Sequence, residues 1–217
     1  MKVLITGASG DIGKAIAEKF LKEGHEVVGL DLLPSRIEHA RYVHYVADVR
    51  GDLPSVEGVN VLVTAAGVQT NDDSAIEVNL KGVIRTMEKY AYQDAIRAVV
   101  NIASASAANG AEFPFYVASK GGVVSYTKNA ALRLAPFGAT ANCLSPGGVL
   151  TASNDPVLKD DNLFREALSE SLLGKWATVE EIADWTYFLA VNNRSMTGEN
   201  IVVDNGEMMK SHFVWPK

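Results

Sequence analysis

Short apolar runs and amphipathic stretches alternate along this chain almost from end to end, and that alternation restricts the fold more than any other feature. Residues 3–5, 26–31, 42–47, 60–65, 97–103, 139–145 and 199–204 are apolar runs bounded by glycine, proline or polar residues, and they read as strands. Between the first two, Ile12, Ala15, Ile16 and Phe20 recur at helical spacing beside Lys14, Glu18, Lys19 and Lys22, and residues 74–93 and 116–135 carry similar periodicity. Strand, helix, strand repeated in this way predicts a doubly wound α/β fold: a largely parallel seven-stranded sheet with helices on both faces. Two hundred and seventeen residues, 47% hydrophobic and 21% charged, suit a single domain over 1–217. Residues 151–171 are polar but place Leu158, Leu163, Phe164 and Leu168 at roughly helical intervals, which predicts a helical lid at about 151–174. Thr178 followed by Glu181 predicts a capped helix over 178–192. Only sixteen residues separate Asp31 from Asp48, so the connection there shrinks to about one helical turn around 34–40.

Charge and cysteine content remove several function classes. The formal charge is −6 and no Lys/Arg run offsets it, which argues against a nucleic-acid surface or a polybasic membrane patch. No window approaches the roughly 18 apolar residues of a membrane span, so a cytoplasmic protein is expected. Cys143 is the single cysteine; with four scattered histidines it forms no zinc-site spacing, no metal is expected, and the thiol reads as buried and inert.

Gly7-x-x-Gly10-x-x-Gly13 falls where strand one becomes helix one. In that context glycines let the backbone turn tightly and let a pyrophosphate approach the free N–H groups at a helix start. The candidate cofactor-binding residues of this turn are Gly7, Ser9, Gly10, Asp11, Ile12 and Gly13, and the arrangement is Rossmann-like. Eighteen residues past Gly13, at the end of the second strand, Asp31 stands where a carboxylate accepts ribose hydroxyls and repels a 2′-phosphate, so NAD(H) is expected in preference to NADP(H). Arg36 is the one nearby basic candidate for a phosphate clamp, and Asp48-Val49 either border the adenine or open a turn.

Tyr116-Val117-Ala118-Ser119-Lys120 places a phenol and an ammonium on one helical face; Ser104 lies twelve residues upstream at a strand end, and Asn79 sits in the preceding helix. Together with the glycine turn, Ala65-Ala66-Gly67 after the fourth strand, Pro146-Gly147 leading to Thr151, and the closing stretch from Thr197 to Gly206, these residues resemble a single-domain short-chain dehydrogenase/reductase over essentially the whole chain. The resemblance implies a hydride-transferring oxidoreductase that interconverts a secondary alcohol and a ketone. It implies Tyr116 as general acid/base, Lys120 as the group that lowers its pKa, Ser104 as the anchor of the substrate oxygen, and Asn79 as the holder of a water in a proton relay. It further implies cofactor contacts from Ala65, Ala66, Gly67, Tyr116, Lys120, Pro146, Gly147, Val149 and Thr151, a small-molecule alcohol or ketone as partner, and a homodimer or homotetramer. Phenol chemistry near neutrality needs a shift of about three units from a reference of ~10, and an ammonium at ~4 Å supplies about that at an effective dielectric of ~20.

Asp11 departs from the family pattern, because the second glycine falls one place earlier, at Gly10, a spacing commoner in the extended, epimerase-like branch; a chain of this length leaves no room for that branch's substrate domain. Thr64 replaces an amide usual after the fourth strand, so Thr64 takes over its role or the role is omitted. A catalytically silent dinucleotide-binding regulator is the rival reading from another class. The substrate walls are expected from residues 106–115, 148–154 and 155–173, with Ala105, Ala107, Ala108, Phe113 and Phe115 suggesting an apolar lining and no fixed charge to identify the substrate. The tail, with Met208, Phe213 and Trp215, either packs on its own domain, closes the pocket or caps a neighbour.

Overall fold

The computed structural model describes residues 1–209. Seven strands, β1 (Lys2–Thr6), β2 (Glu26–Asp31), β3 (Tyr42–Val46), β4 (Val61–Thr64), β5 (Ala98–Ile102), β6 (Thr140–Pro146) and β7 (Asn200–Val203), form one sheet in the order β3-β2-β1-β4-β5-β6-β7. Every neighbouring pair is parallel. The expected doubly wound architecture is therefore the observed one. Alternation along the strands divides the core: Val3, Ile5, Val61 and Val63 face one layer, while Leu4, Leu62 and Val99 face the other. The first layer is covered by α1 (Asp11–Lys22) and α8 (Val179–Tyr187), which contribute Ile16, Phe20 and Ile182. The second is covered by α3 (Gly82–Tyr90) and α5 (Pro114–Leu134), through Val83, Met87, Val123 and Leu134. The helix expected over 74–93 is three pieces, α2 (Asp73–Ala75), a π-helical turn (Ile76–Lys81) and α3. α8 opens on the expected capping box and continues into a second π turn (Phe188–Asn192).

Between β2 and β3 no helical turn forms. The Pro34 carbonyl accepts the Ser9 hydroxyl at 2.8 Å instead of an N–H one turn on, and Ser35 Oγ both donates to the Ile37 carbonyl and accepts its N–H. The segment is thus laid flat over the glycine turn, and the edge strand β3 keeps Val43, Tyr45 and Val46 exposed. The segment expected to form a lid is helical, with a 3₁₀ turn (Ala152–Asn154), α6 (Asp155–Leu158) and α7 (Asp161–Ser169), the last capped by the Asp160 carboxylate. The Thr64 hydroxyl donates to Asn101 Oδ1 at 2.7 Å, and Asn101 Nδ2 donates to Thr127 Oγ1 at 2.9 Å, so a buried polar chain links β4, β5 and α5. Cys143 is fully buried beside Thr127, and burial pushes its thiol up to about 11, as an inert core cysteine requires. Among the described residues no helix is long and apolar enough to cross a membrane. Met208 and Met209 are exposed, and Phe213 and Trp215 lie outside the described residues.

Candidate functional site

After β1 the chain winds outward through β2 and β3, and from β4 it winds the other way through β5, β6 and β7, so the crevice beyond the strand ends opens between β1 and β4. The glycine turn stands at its rim. Gly7 has φ +73°, and a Cβ there would lie 2.6 Å from the Ala66 nitrogen; a Cβ on Gly13 would lie 2.0 Å from the Gly7 carbonyl oxygen. These two glycines let α1 start directly against the end of β4. Gly10 is the N-cap of α1 and offers no side-chain cap, so the helix's first N–H groups stay open to a ligand.

Asp31 is turned onto this loop. Its carboxylate accepts the Ser9 N–H and the Leu33 N–H, each at 2.9 Å, so the side chain predicted to read a ribose also shapes the glycine turn. Arg36, carried by the flattened segment, donates to the Ser9 carbonyl at 2.9 Å and to Asp11 at 2.8 Å. The other Asp11 oxygen accepts the Ala152 N–H at 2.8 Å, tying the start of α1 to the 3₁₀ turn at 152–154. The Arg36 guanidinium holds the Asp11 carboxyl below the usual carboxylate range. Asp48 is paired with Arg50 at 2.7 Å, and the Val49 side chain packs at the Gly82 end of α3. Both lie apart from the main cavity.

That cavity measures about 450 Å³ and brings together Ser104, Tyr116 and Lys120 with Ile12, Ala65, Gly67, Pro146, Gly147, Val149 and Thr151. Ser104 follows β5, and Tyr116 and Lys120 lie one turn apart on α5. Lys120 is 6% exposed; its Nζ donates to the Ile102 carbonyl at 2.9 Å and lies 5.7 Å from the centre of the Tyr116 ring. Burial pushes its ammonium down to about 8. The Tyr116 phenol goes the other way, up to about 12, because burial disfavours the phenolate and the Glu112 carboxylate repels it, with the Ser104 hydroxyl opposing them. The expected acidic phenol is thus not what the protein alone sets up: desolvation outweighs the ammonium here.

Asn79 sits in the π turn and is buried. Its Oδ1 accepts the Val68 N–H at 2.8 Å, and its Nδ2 donates to the Val68 carbonyl at 2.9 Å and to Ser119 Oγ at 3.0 Å. With the amide engaged at both ends, the side chain braces the loop after β4. A methyl on Gly67 would lie 3.2 Å from Asn79 Oδ1 and 3.5 Å from Lys120 Nζ, so only a bare backbone leaves that strip of cavity open.

Several lining residues belong to the expected wall segments without having been singled out, and a few come from outside them. Ser106 donates from its hydroxyl (2.9 Å) and its N–H (3.2 Å) to Ser104 Oγ, which leaves the Ser104 proton free for another acceptor. Of the residues expected to give an apolar lining, Ala105 lines the cavity, but Phe113 and Phe115 are exposed and, with Ala107 and Ala108, do not line it, whereas Glu112, Glu170 and Glu207 do. Part of the reason is local: Gly110 turns left-handed after the short helix α4 (Ser106–Asn109) and Pro114 starts α5, so Glu112 and Phe113 lie on a non-helical stretch between the two helices, from which Glu112 enters the cavity and Phe113 stays exposed. Glu112 stands four residues before Tyr116, a spacing that could have flagged it; Glu207 and Trp176 reach the site only through tertiary packing.

A family model described as enoyl-(acyl carrier protein) reductase matches residues 55–207. The chain is 28% identical to a 3-oxoacyl-[acyl-carrier-protein] reductase of Staphylococcus aureus, over 95% of this chain and 97% of the relative. Among solved structures, the ligand-free aldohexose dehydrogenase of Thermoplasma acidophilum superposes with TM-score 0.86 at 26% identity, covering 100% of this chain and 97% of that one. A putative 2-deoxy-D-gluconate 3-dehydrogenase of Agrobacterium tumefaciens with bound NADP superposes with TM-score 0.86 at 27% identity over 96% of each chain.

Proposed function

This chain belongs to the short-chain dehydrogenase/reductase family, and from that premise we propose that it is an oxidoreductase that interconverts a secondary alcohol and a ketone with NAD(H). The observation that carries the reading is the meeting of Ser104, Tyr116 and Lys120 in one cavity beyond the carboxyl ends of the strands. Residues 1–217 act as one dinucleotide-binding unit with residues 151–174 as its lid. The cavity suits a dinucleotide on its own terms: open N–H groups at the start of α1, and a strip between Gly67 and Lys120 that a methyl would narrow. Gly7, Ser9, Gly10, Asp11, Ile12 and Gly13 would hold the pyrophosphate, Asp31 the adenosine ribose, and Ala65, Ala66, Gly67, Lys120, Pro146, Gly147, Val149 and Thr151 the nicotinamide half. When bound, the cofactor supplies the hydride donor or acceptor.

The proton is the protein's task. Ser104 Oγ accepts both bonds from Ser106, so its own O–H is available to the substrate oxygen. In reduction the Tyr116 phenol, protonated at neutral pH, gives its proton to the developing alkoxide. In oxidation the phenolate must form, from about 12. That value is reached with the Lys120 ammonium already in place, 5.7 Å from the ring centre. The lowering that oxidation needs would therefore come from the positive charge of the oxidised cofactor.

Asp31, whose carboxylate would face a 2′-phosphate, supports NAD(H). Arg36 at the same turn, and the NADP bound to the Agrobacterium relative, favour NADP(H) as a second reading. Thermal-shift titration separates them: NAD(H) should stabilise the protein more than NADP(H), and an equal or reversed response removes the role given to Asp31. Tyr116→Phe should abolish turnover while leaving dinucleotide affinity within about twofold; substantial residual turnover overturns the acid/base assignment.

A further inference from the structure

The substrate half of the cavity carries a charge pattern that the alcohol-to-ketone reading leaves unexplained. Three carboxylates line it, Glu112, Glu170 and Glu207, from three separate segments of the chain. Among the described residues the one cation lining it is Lys120, which lies buried under Tyr116 with its ammonium on the Ile102 carbonyl. Glu207 is seated in a notch: a Cβ on Gly147 would lie 2.6 Å from its Oε2, and the Gly148 N–H donates to the same oxygen at 3.3 Å. Burial and the neighbouring carboxylates Asp204, Glu170 and Glu112 raise the Glu207 carboxyl above its ordinary range, so these charges act on one another across the cavity. Gly148 makes a second notch, where a Cβ would fall 2.3 Å from Trp176 Nε1; the indole, braced edge-on by Phe164 at 5.6 Å, lines the same wall. Ser104, 7% exposed, opens on this space with its Ser106-supported hydroxyl.

Carboxylates that line a cavity as acceptors call for a ligand rich in donors, and an aromatic plane among them offers apolar contact to a C–H face. An anionic ligand would meet three like charges in a partly desolvated space. Resting on the oxidoreductase reading above, we propose that the substrate is a neutral, polyhydroxylated molecule, a sugar or polyol, whose hydroxyls donate to Glu112, Glu170 and Glu207 while its C–H face lies on Trp176. Phosphopantetheine-linked thioesters and carboxylate-bearing sugars are excluded by the same charges.

The test is a substrate panel followed at 340 nm with both dinucleotides, joined to a binding measurement that needs no turnover, the quench of tryptophan fluorescence against a Trp176→Phe control. The panel contains neutral aldopyranoses and polyols, D-glucuronate, D-glucosamine and acetoacetyl-CoA. A neutral sugar or polyol should be turned over with kcat/KM at least about tenfold above any anionic member, and should quench the parent protein but not the Trp176 variant. Glu207→Gln should lower kcat/KM for the neutral sugar and relieve the discrimination against glucuronate. Preferred turnover of acetoacetyl-CoA or glucuronate overturns the substrate class while leaving the oxidoreductase reading intact, and preference for the amino sugar overturns the choice of a neutral ligand. Failure of every neutral sugar and polyol both to react and to quench also overturns it. Sugar binding with no turnover of any panel member supports the binding site and sinks the oxidoreductase reading instead.

Discussion

Replacing Lys120 with methionine should make this protein more stable and nearly inactive, and both effects arise from one buried charge. Burial takes the Lys120 ammonium from 10.5 to about 8. At about 1.4 kcal/mol per pKa unit, charged Lys120 disfavours the folded state by about 3 kcal/mol at neutral pH. The folded chain releases this proton near 8 and the unfolded chain near 10.5, so between those values the unfolded state holds more protons and stability rises with pH. The penalty is therefore complete below pH 8 and absent above 10.5. Methionine fills a similar volume without charge, and the lost hydrogen bond to the Ile102 carbonyl returns about 1 kcal/mol. The net gain of about 2 kcal/mol at pH 7 corresponds to roughly 4–8 °C in Tm for a domain of this size. At pH 10.5 the gain should vanish or turn slightly negative. Activity moves oppositely: without a cation beside the Tyr116 ring the phenolate becomes harder to form, so alcohol oxidation near neutrality falls about a hundredfold and the ascending limb of its pH profile moves to higher pH. Calorimetry at the two pH values and the rate profile check the pair of effects. A variant that melts below the parent at pH 7, or that gains equally at both pH values, refutes the account of Lys120 as a desolvated cation.

Arg36→Gln frees the Asp11 carboxylate from its 2.8 Å partner at the start of α1, where it then repels a pyrophosphate. Dinucleotide affinity should fall about fivefold at low salt, an effect of roughly 1 kcal/mol, and recover when Asp11→Asn is added; calorimetric titration with no recovery in the double variant refutes the charge argument. Gly67→Ala places a methyl 3.2 Å from Asn79 Oδ1 and 3.5 Å from Lys120 Nζ. Dinucleotide affinity should drop about tenfold with little change in Tm, and unaltered affinity would mean that the cofactor does not pass between Gly67 and Lys120.

Much of this was legible in one dimension because its physical causes are local. Burial on both faces makes parallel strands apolar runs, so β1, β2 and β5 could be placed to within a residue or two, and a helix start bordered by glycines is a short-range arrangement of φ angles and N–H groups. The Thr178/Glu181 capping box needs three residues only and formed as expected. The segment around 34–40 failed because its carbonyls found partners twenty-five residues away, at Ser9, in place of a helical turn. The apolar lining was only partly right, because residue type in segment 106–115 does not say which side chains turn inward: Ala105 lines the cavity, while Gly110 and Pro114 bound a non-helical stretch from which Glu112 enters it and Phe113 stays exposed.

Alternation of residue types was enough to determine the doubly wound parallel sheet, and spacing along the chain the glycine turn, while the grouping of Ser104, Tyr116 and Lys120 in one site came from the resemblance that their motifs carry. The tertiary structure alone decided the electrostatics: that Asp31 and Arg36 both grip the Ser9 turn, that burial drives Tyr116 and Lys120 apart in pKa, and that Glu112, Glu170 and Glu207 converge on one cavity. Desolvation and Coulomb interaction depend on distance through space and on excluded water, and neither quantity is written in the order of the residues.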